Sequence, residues 1–233
     1  MNINIMEMNT LIDFHAHILP GMDHGCNDVA MSIRQLNMAT DQNIGVVIAT
    51  SHFYPHQENV EGFLARREEA RGELEAVRKN KHPDIRLAAE VLICNNIDKM
   101  KGIEKLCLEG SKVMLIEMPY VRQWEAGLID TVVRLRDKNG LKVILAHGER
   151  YPVKEVEKLL KIGFQIQVNV SSIANFYKWY QIRKWIRHNY VVAFGSDIHG
   201  LHNSYKDFNR AMKKLGPLAQ QIMEKTRKLV AEQ

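Results

Sequence analysis

Histidine stands out in this sequence: the chain holds ten, most of them beside Asp, Glu or Gly where apolar runs stop. The first such run closes in Asp13-Phe14-His15-Ala16-His17. An extended backbone has a side-chain period of two, which puts His15 and His17 on one face with Asp13 beside them, so two imidazoles can reach one cation. The turn Pro20-Gly21-Met22-Asp23-His24-Gly25 adds Asp23 and His24 at the same rim, its glycines permitting a tight reversal. Later apolar runs end in Ser51-His52, Glu90, Glu117, His147 and Ser196-Asp197-Ile198-His199. Taken singly each is a weak signal, since a lone His is more often a hydrogen-bonded core residue. Together they form a donor set of imidazole and carboxylate without thiolate, which favours manganese, iron or zinc over calcium, magnesium or copper. Burying so many titratable groups in one mouth is costly without compensation, and several divalent cations would supply it.

The elements that must position these residues alternate. Short β-rich runs are expected at Leu11 to Phe14, Gly45 to Thr50, Ile85 to Val91, Lys112 to Met118, Lys142 to Ala146, Phe164 to Asn169 and Val191 to Gly195, each nearly continuous in apolar residues. Helix-period segments lie between them, at Val29 to Gln42, Glu58 to Lys79, Gly127 to Asn139, Val153 to Ile162 and Ile173 to His188, with only a short piece near Ile103 to Leu108. Tyr205 to Lys214 and Leu218 to Val230 can close the fold as terminal helices. Such alternation implies parallel strands with right-handed crossovers, in an open doubly wound sheet or a closed barrel. Seven strands is one short of the usual eightfold barrel, so an α/β fold with an irregular or distorted barrel is expected. In either architecture the chemistry gathers at the carboxyl ends of the strands. Six of the seven expected strands end in one of the residues named above.

Composition narrows the class further. At 233 residues, 45% apolar and 25% charged, the chain can bury a sizeable core, and one domain over 1–233 is the expectation. The net charge of +5 is scattered rather than blocked, which gives little support to nucleic acid or a membrane surface as partner. No apolar stretch approaches a membrane span, and the first ten residues lack a basic start followed by an apolar run, so a cytoplasmic protein is expected. Cys26, Cys94 and Cys107 are too widely spaced for a zinc motif or a disulfide framework.

The run from Asp13 to Gly25 resembles the opening motif of the polymerase and histidinol phosphatase (PHP) superfamily. Ala49-Thr50-Ser51-His52, Ala89-Glu90-Val91, Leu115-Ile116-Glu117-Met118-Pro119, Ala146-His147-Gly148-Glu149-Arg150-Tyr151 and Gly195-Ser196-Asp197-Ile198-His199 resemble, in order, the bacterial PHP-type protein tyrosine phosphatases of capsule and exopolysaccharide loci. The resemblance implies a distorted seven-stranded barrel and a centre of two to three divalent ions, manganese first and iron or zinc next. Its ligands would be His15, His17, His24, His52, Glu90, Glu117, His147, Asp197 and His199. The chain departs from that branch at His24, where Asp is usual, at Gly148, where Pro is usual, and at Ser204, where an Arg is usual.

Hydrolysis of a phosphomonoester at such a centre would use metal-bound hydroxide to attack phosphorus in line with the leaving phenolate. Arg150 is the candidate phosphate contact, unless it pairs with Glu149 or another acid. The leaving oxygen could take its proton from water, from Asp23 if held neutral, or from His56 or His202. Asp13 is expected to accept an N–H from a ligating imidazole and fix its tautomer. The resemblance implies a phosphotyrosine protein as substrate or, alternatively, a small phosphate ester such as histidinol phosphate. An amidohydrolase-like metallohydrolase and a non-catalytic module are the remaining readings. His82 and His188 are expected on the surface, Tyr120 and Trp124 in loop packing or against an aromatic leaving group, and Phe176, Trp179, Tyr180 and Trp185 in packing over the core. The charged residues Arg66, Arg67, Glu68, Glu69 and Arg71 read as a solvated helix face.

Overall fold

The computed structural model describes residues 10–201 and 205–231. His202 and Ser204 lie outside the described residues. The chain runs β1 (Leu11–Ala16), α1 (Val29–Asp41), β2 (Ile44–Ala49), β3 (His52–Phe53), α2 (Val60–Glu75), β4 (Asp84–Leu87), β5 (Glu90–Leu92) and β6 (Val113–Glu117). It continues through α3 (Ala126–Asp137), β7 (Lys142–Leu145), α4 (Val153–Lys161), β8 (Gln165–Asn169), α5 (Val170–Ala174), α6 (Phe176–Arg187), β9 (Val191–Gly195), α7 (Lys206–Leu215) and α8 (Pro217–Ala231). The short third crossover is built from two 3-10 turns, Ile97–Lys99 and Ile103–Leu106.

All strand pairs are parallel, as the alternation requires, but the ladders do not form the single seven-stranded barrel expected. Among the described residues they make two sheets, β1-β2-β4 and β3-β5-β6-β7-β8-β9. The count rises from seven to nine because one break, after Ala49, is followed by the short β3 beyond the expected end at Thr50, and a second, after Leu87, divides the strand expected over 85–91. At the first break the Thr50 side chain enters the ladder: its Oγ1 accepts from Ala16 N at 3.1 Å and lies 3.3 Å from Ala16 O. A hydroxyl that replaces a main-chain partner interrupts regular pairing and turns the next residues, here Ser51 and His52, out of line. Main-chain bonds still cross both seams. Ala88 N donates to Ala49 O (2.9 Å), Glu90 N to Ser51 O (3.1 Å), and Asp197 N to His15 O (2.7 Å).

Helices start where the sequence caps them: Asp28 accepts from Met31 N at 2.7 Å ahead of α1, and Asn59 from Gly62 N at 2.8 Å ahead of α2. The main core lies between sheets and helices and includes Leu36, Phe53, Phe63, Trp124, Ile166 and Trp185. A smaller cluster joins Phe14, Ile48, Leu115, Ile144 and Ala193 from five strands with Leu229 of α8. Leu115 and Glu117 share a face of β6, so this apolar cluster lies directly beneath the polar groups at the strand ends. The α2 face departs from expectation at Arg67, which is buried and donates to Ala88 O at 3.2 Å. His82 is also buried rather than on the surface, held between Asn37 Oδ1 (3.1 Å) and Lys79 N (3.2 Å), whereas His188 is exposed.

Candidate metal centre

Backbone placement comes first. His15 and His17 leave β1 at the point where two glycines let other segments approach. A Cβ on Gly25 would lie 2.3 Å from His17 Cβ, and one on Gly195 would lie 2.5 Å from His15 Cβ, so only glycine fits at either position. His147 and Asp197 adopt left-handed backbone (φ 32° and 53°), a conformation that is disfavoured for non-glycine residues and persists where surroundings hold it. Here His147 N is held by Gln167 Oε1 at 2.7 Å and Asp197 N by His15 O at 2.7 Å.

The imidazole tautomers follow from their outer contacts. Gln167 Oε1 accepts from His147 N, so it also accepts from His15 Nδ1 (3.1 Å), which leaves a bare lone pair on His15 Nε2. Asp23 Oδ2 accepts from His17 Nδ1 (2.8 Å), which leaves His17 Nε2 bare. Those two lone-pair nitrogens face each other at 3.0 Å, with no hydrogen to share in the neutral state. His199 Nδ1 lies 3.1 Å from Asp197 O, and its Nε2 is buried without a partner. His52 Nδ1 lies 3.1 Å from Glu90 Oε2 yet makes no hydrogen bond.

Ligand atoms converge in three overlapping groups, within each of which they lie no more than 4.8 Å apart: His17, His52 and His199; His15, His17, Glu90 and Asp197; and His52, Glu90 and Glu117. His147 joins through Nε2, 2.7 Å from Glu90 Oε1 and 3.6 Å from Glu117 Oε1. More acceptors converge than there are hydrogens to satisfy them, and buried lone pairs are costly unless a cation meets them. The donor set therefore fits divalent ions.

The electrostatics agree. Burial alone would strip His15 and His17 of protons, but the charges of Glu90 and Asp197 on the first, and of Asp23 on the second, outweigh it and raise both. The field thus draws a cation, and a proton competes with a metal ion for the same lone pairs. Burial lowers His52 to about 3 and, with the His17 charge, His199 to about 4. Burial and the neighbouring Glu90 raise Glu117 to about 7. Glu90 itself is held well below the usual carboxylate range, where the charge of His15 and the bond from His147 overcome burial.

The family described as "Capsular polysaccharide synthesis, CpsB/CapC" matches residues 11–228. The chain belongs to the CpsB/CapC family. It is 29% identical over 211 residues to the tyrosine-protein phosphatase YwqE of Bacillus subtilis (strain 168), covering 82% of this chain and 78% of that protein. Among solved structures it resembles the one described as YwqE from Bacillus subtilis and CpsB from Streptococcus pneumoniae, unique metal-dependent tyrosine phosphatases. That likeness has a TM-score of 0.78 at 22% identity and covers 96% of this chain and 95% of the other. A probable 2-pyrone-4,6-dicarboxylic acid hydrolase from Acinetobacter baumannii shares the fold at 11% identity, with a TM-score of 0.53 and coverage of 95% and 99%.

Within this CpsB/CapC chain, eight of the nine expected ligands meet through polar atoms. His24 is the ninth; it is exposed, and its ring stacks on His199 (4.4 Å) and His52 (5.0 Å) at the edge of the cluster. Asp23 does not suit the proton-donor role expected of it. Its carboxylate accepts from His17 Nδ1, His52 N (2.9 Å) and Gly25 N (2.8 Å), and the His17 charge outweighs burial to keep it ionised. Asp13 touches no imidazole nitrogen. It accepts from His15 N (3.2 Å), Ser196 N (2.8 Å) and Ser196 Oγ (2.5 Å), so it fixes the main chain while burial pushes its carboxyl up to about 6. Arg150 pairs with Asp197 Oδ2 at 2.5 Å rather than with Glu149.

Tyr120 is exposed at the rim, its ring centroid 5.9 Å from that of His147 and its hydroxyl 3.5 Å from an Arg150 nitrogen. Trp124 is core, donating from Nε1 to Pro119 O at 3.1 Å. His56 is exposed, its ring centroid 5.8 Å from that of Tyr54. Sequence reasoning missed the end of β8, the one of the seven expected strands without an assigned residue. Gln167 holds His15, and its Nε2 donates to Asn169 Oδ1 (2.8 Å), whose Nδ2 donates to Asp197 Oδ2 (2.9 Å). The available signal was three polar residues, Gln165, Gln167 and Asn169, sharing one face of the strand and alternating with Ile166 and Val168.

Proposed function

We propose that the chain is a metal-dependent phosphomonoester hydrolase acting on phosphotyrosine in a protein of the capsule or exopolysaccharide system. The observation that carries this reading is the convergence of bare imidazole lone pairs and buried carboxylates beside an arginine and an exposed tyrosine ring. His15, His17, His24, His52, Glu90, Glu117, His147, Asp197 and His199 would hold two to three divalent ions, manganese first and iron or zinc next. Bound there, the ions would neutralise phosphoryl oxygens and bring a water toward ionisation near pH 7.

The chain's own residues do the rest. Gln167 and Asp23 keep the His15 and His17 Nε2 lone pairs aimed inward, and Asp13 and Ser196 lock the strand ends on which His15 and Asp197 sit. Arg150 would contact a non-bridging phosphate oxygen with the part of its planar fork that Asp197 leaves free. The Tyr120 ring would stack on the aryl leaving group. A phenol has a pKa of about 10, so a departing phenolate needs less proton help than an alkoxide, and solvent water rather than Asp23 would supply the proton.

The two sheets are read as the halves of one distorted PHP-type barrel, on the support of the main-chain bonds across both seams. A cytoplasmic location goes with three free cysteines and the lack of any described helix long and apolar enough to cross a membrane. The test compares manganese-loaded protein on an aryl phosphate, an alkyl phosphate such as histidinol phosphate, and a cyclic amide. The aryl ester is expected to turn over fastest. Equal or faster turnover of the alkyl ester, or hydrolysis of the amide alone, overturns the assignment.

A further inference from the structure

Among the described residues, the large apolar side chains left exposed are not spread evenly. All but Val77 and Ile162 follow the carboxyl ends of β6, β7, β8 or β9, the same face of the fold that carries the metal-type cluster. The densest group is on α6, where Phe176, Tyr177 and Tyr180 are 81%, 90% and 79% exposed. Packing over the core was expected of Phe176 and Tyr180, and it is Ile182, Trp185 and Ile186 that do it. Single exposed apolar residues need no explanation, but three large rings within five positions do. The Phe176 and Tyr177 rings meet edge to face at 6.0 Å, so they form one surface.

Two further observations say what covers it. First, α6 packs against the 148–150 turn that carries Arg150, so the helix that bears the aromatic surface touches the segment of the proposed phosphate contact. Second, the chain has no Asp or Glu between Glu157 and Asp197, while α6 alone carries Lys178, Arg183, Lys184 and Arg187. Among the described residues, Lys184 alone of these pairs with an acid, Glu157 at 3.6 Å. The surface therefore offers rings beside cations, of which Arg183 and Arg187 make no ion pair among the described residues.

We propose that the α6 surface is a docking site for the polypeptide substrate: an extended, acidic segment flanking the phosphotyrosine lies across Phe176, Tyr177 and Tyr180, and its carboxylates meet Arg183 and Arg187. This rests on the phosphatase reading and adds its specificity. A peptide is favoured over a lipid surface because the rings occupy barely more than one turn of a helix that packs against the Arg150 turn. An interfacial helix presents a long apolar stripe instead. Exposed rings and arginines at such an interface carry a disproportionate share of the binding energy.

The test uses the full chain and separates docking from chemistry. Binding of a fluorescein-labelled, unphosphorylated acidic peptide containing one tyrosine is followed by anisotropy, and hydrolysis is measured on its phosphorylated form and on a small aryl phosphate. The triple variant Phe176→Ala, Tyr177→Ala, Tyr180→Ala is expected to weaken peptide binding roughly tenfold and to raise KM on the phosphopeptide alike, with aryl phosphate turnover unchanged. Arg183→Glu with Arg187→Glu is expected to weaken the acidic peptide but not a neutral counterpart.

Wild-type-like peptide binding by both variants overturns the proposal, as does a wild-type protein that does not bind the peptide. A variant that loses aryl phosphate turnover equally, or loses binding to phosphatidylglycerol vesicles while keeping the peptide, overturns it as well. If the peptide docks as described but no phosphate ester is hydrolysed, the docking site stands and the phosphatase reading falls.

Discussion

Two groups of opposite charges in this molecule, one partly and one more deeply buried, behave differently. In one, Asp98 faces Arg134 through two bonds, 2.8 Å and 3.0 Å, and the same guanidinium donates to Thr131 Oγ1 at 2.8 Å. Each charge there meets a donor or acceptor of matching kind, and the pair joins the third crossover to α3. In the other, at the strand ends, imidazole lone pairs point at each other and at carboxylates, and the His52 Nδ1 and His199 Nε2 atoms have no hydrogen-bond partner. The first group is complete without anything added. The second is short of positive charge, and that shortage, rather than the mere presence of His and Glu, distinguishes an ion site from a structural ion pair.

The contrast can be pressed at its strongest point first. Glu90→Gln keeps the shape but removes the carboxylate common to most of the ligand atoms, and it should lower metal-supported aryl phosphatase turnover on the order of 10³-fold. Turnover within a few-fold of wild type would show that the centre does not depend on the shared charge. Gln167→Leu tests the outer contact that fixes the His15 tautomer, with an expected loss of about 10–100-fold in metal affinity, read by competition with a chromogenic chelator. Unchanged affinity would mean that His15 keeps its tautomer without Gln167.

A smaller effect is expected from Arg150→Ala, about tenfold in KM with little change in bound metal. Loss of metal with KM unchanged would instead make Arg150 a partner of Asp197 alone.

The smallest effect belongs to the complete pair. Asp98→Asn should leave turnover within about twofold and lower the melting temperature by only a few degrees. The bonds from Arg134 outweigh burial and hold the Asp98 carboxyl below its ordinary value. A depressed carboxylate contributes stability that is present above the unfolded pKa of about 3.9 and is lost as pH falls through the folded value. The gap in melting temperature between wild type and Asp98→Asn should therefore be widest near neutral pH and close on acidification. A gap that widens in acid would contradict the assignment.

Much of the site was legible because strands fix where their ends go. The period of two and the apolar runs place His15, His17, His52, Glu90, Glu117, His147, Asp197 and His199 at one rim without coordinates. What could not be read is what depends on partners distant in sequence. Gln167 is an unremarked polar residue until His15, 152 positions away, is known to touch it. The proton-donor role of Asp23 looked open until its three hydrogen bonds were seen. The strand count differs in part for a local reason: the Thr50 hydroxyl enters the β1 ladder, and a separate short β3 follows it. The helix near Phe176 carried apolar residues at helical spacing, and nothing in that spacing says which of them face solvent.

Elemental analysis of the purified chain, beside the Glu90→Gln variant and after dialysis against chelator, tests most directly whether the strand-end cluster is built around cations. About two to three equivalents of transition metal are expected in the wild type, fewer in the variant, and aryl phosphatase activity should disappear with chelation and return on adding manganese. A folded wild-type protein that binds no transition metal, and whose activity and melting temperature ignore both chelator and manganese, would contradict it.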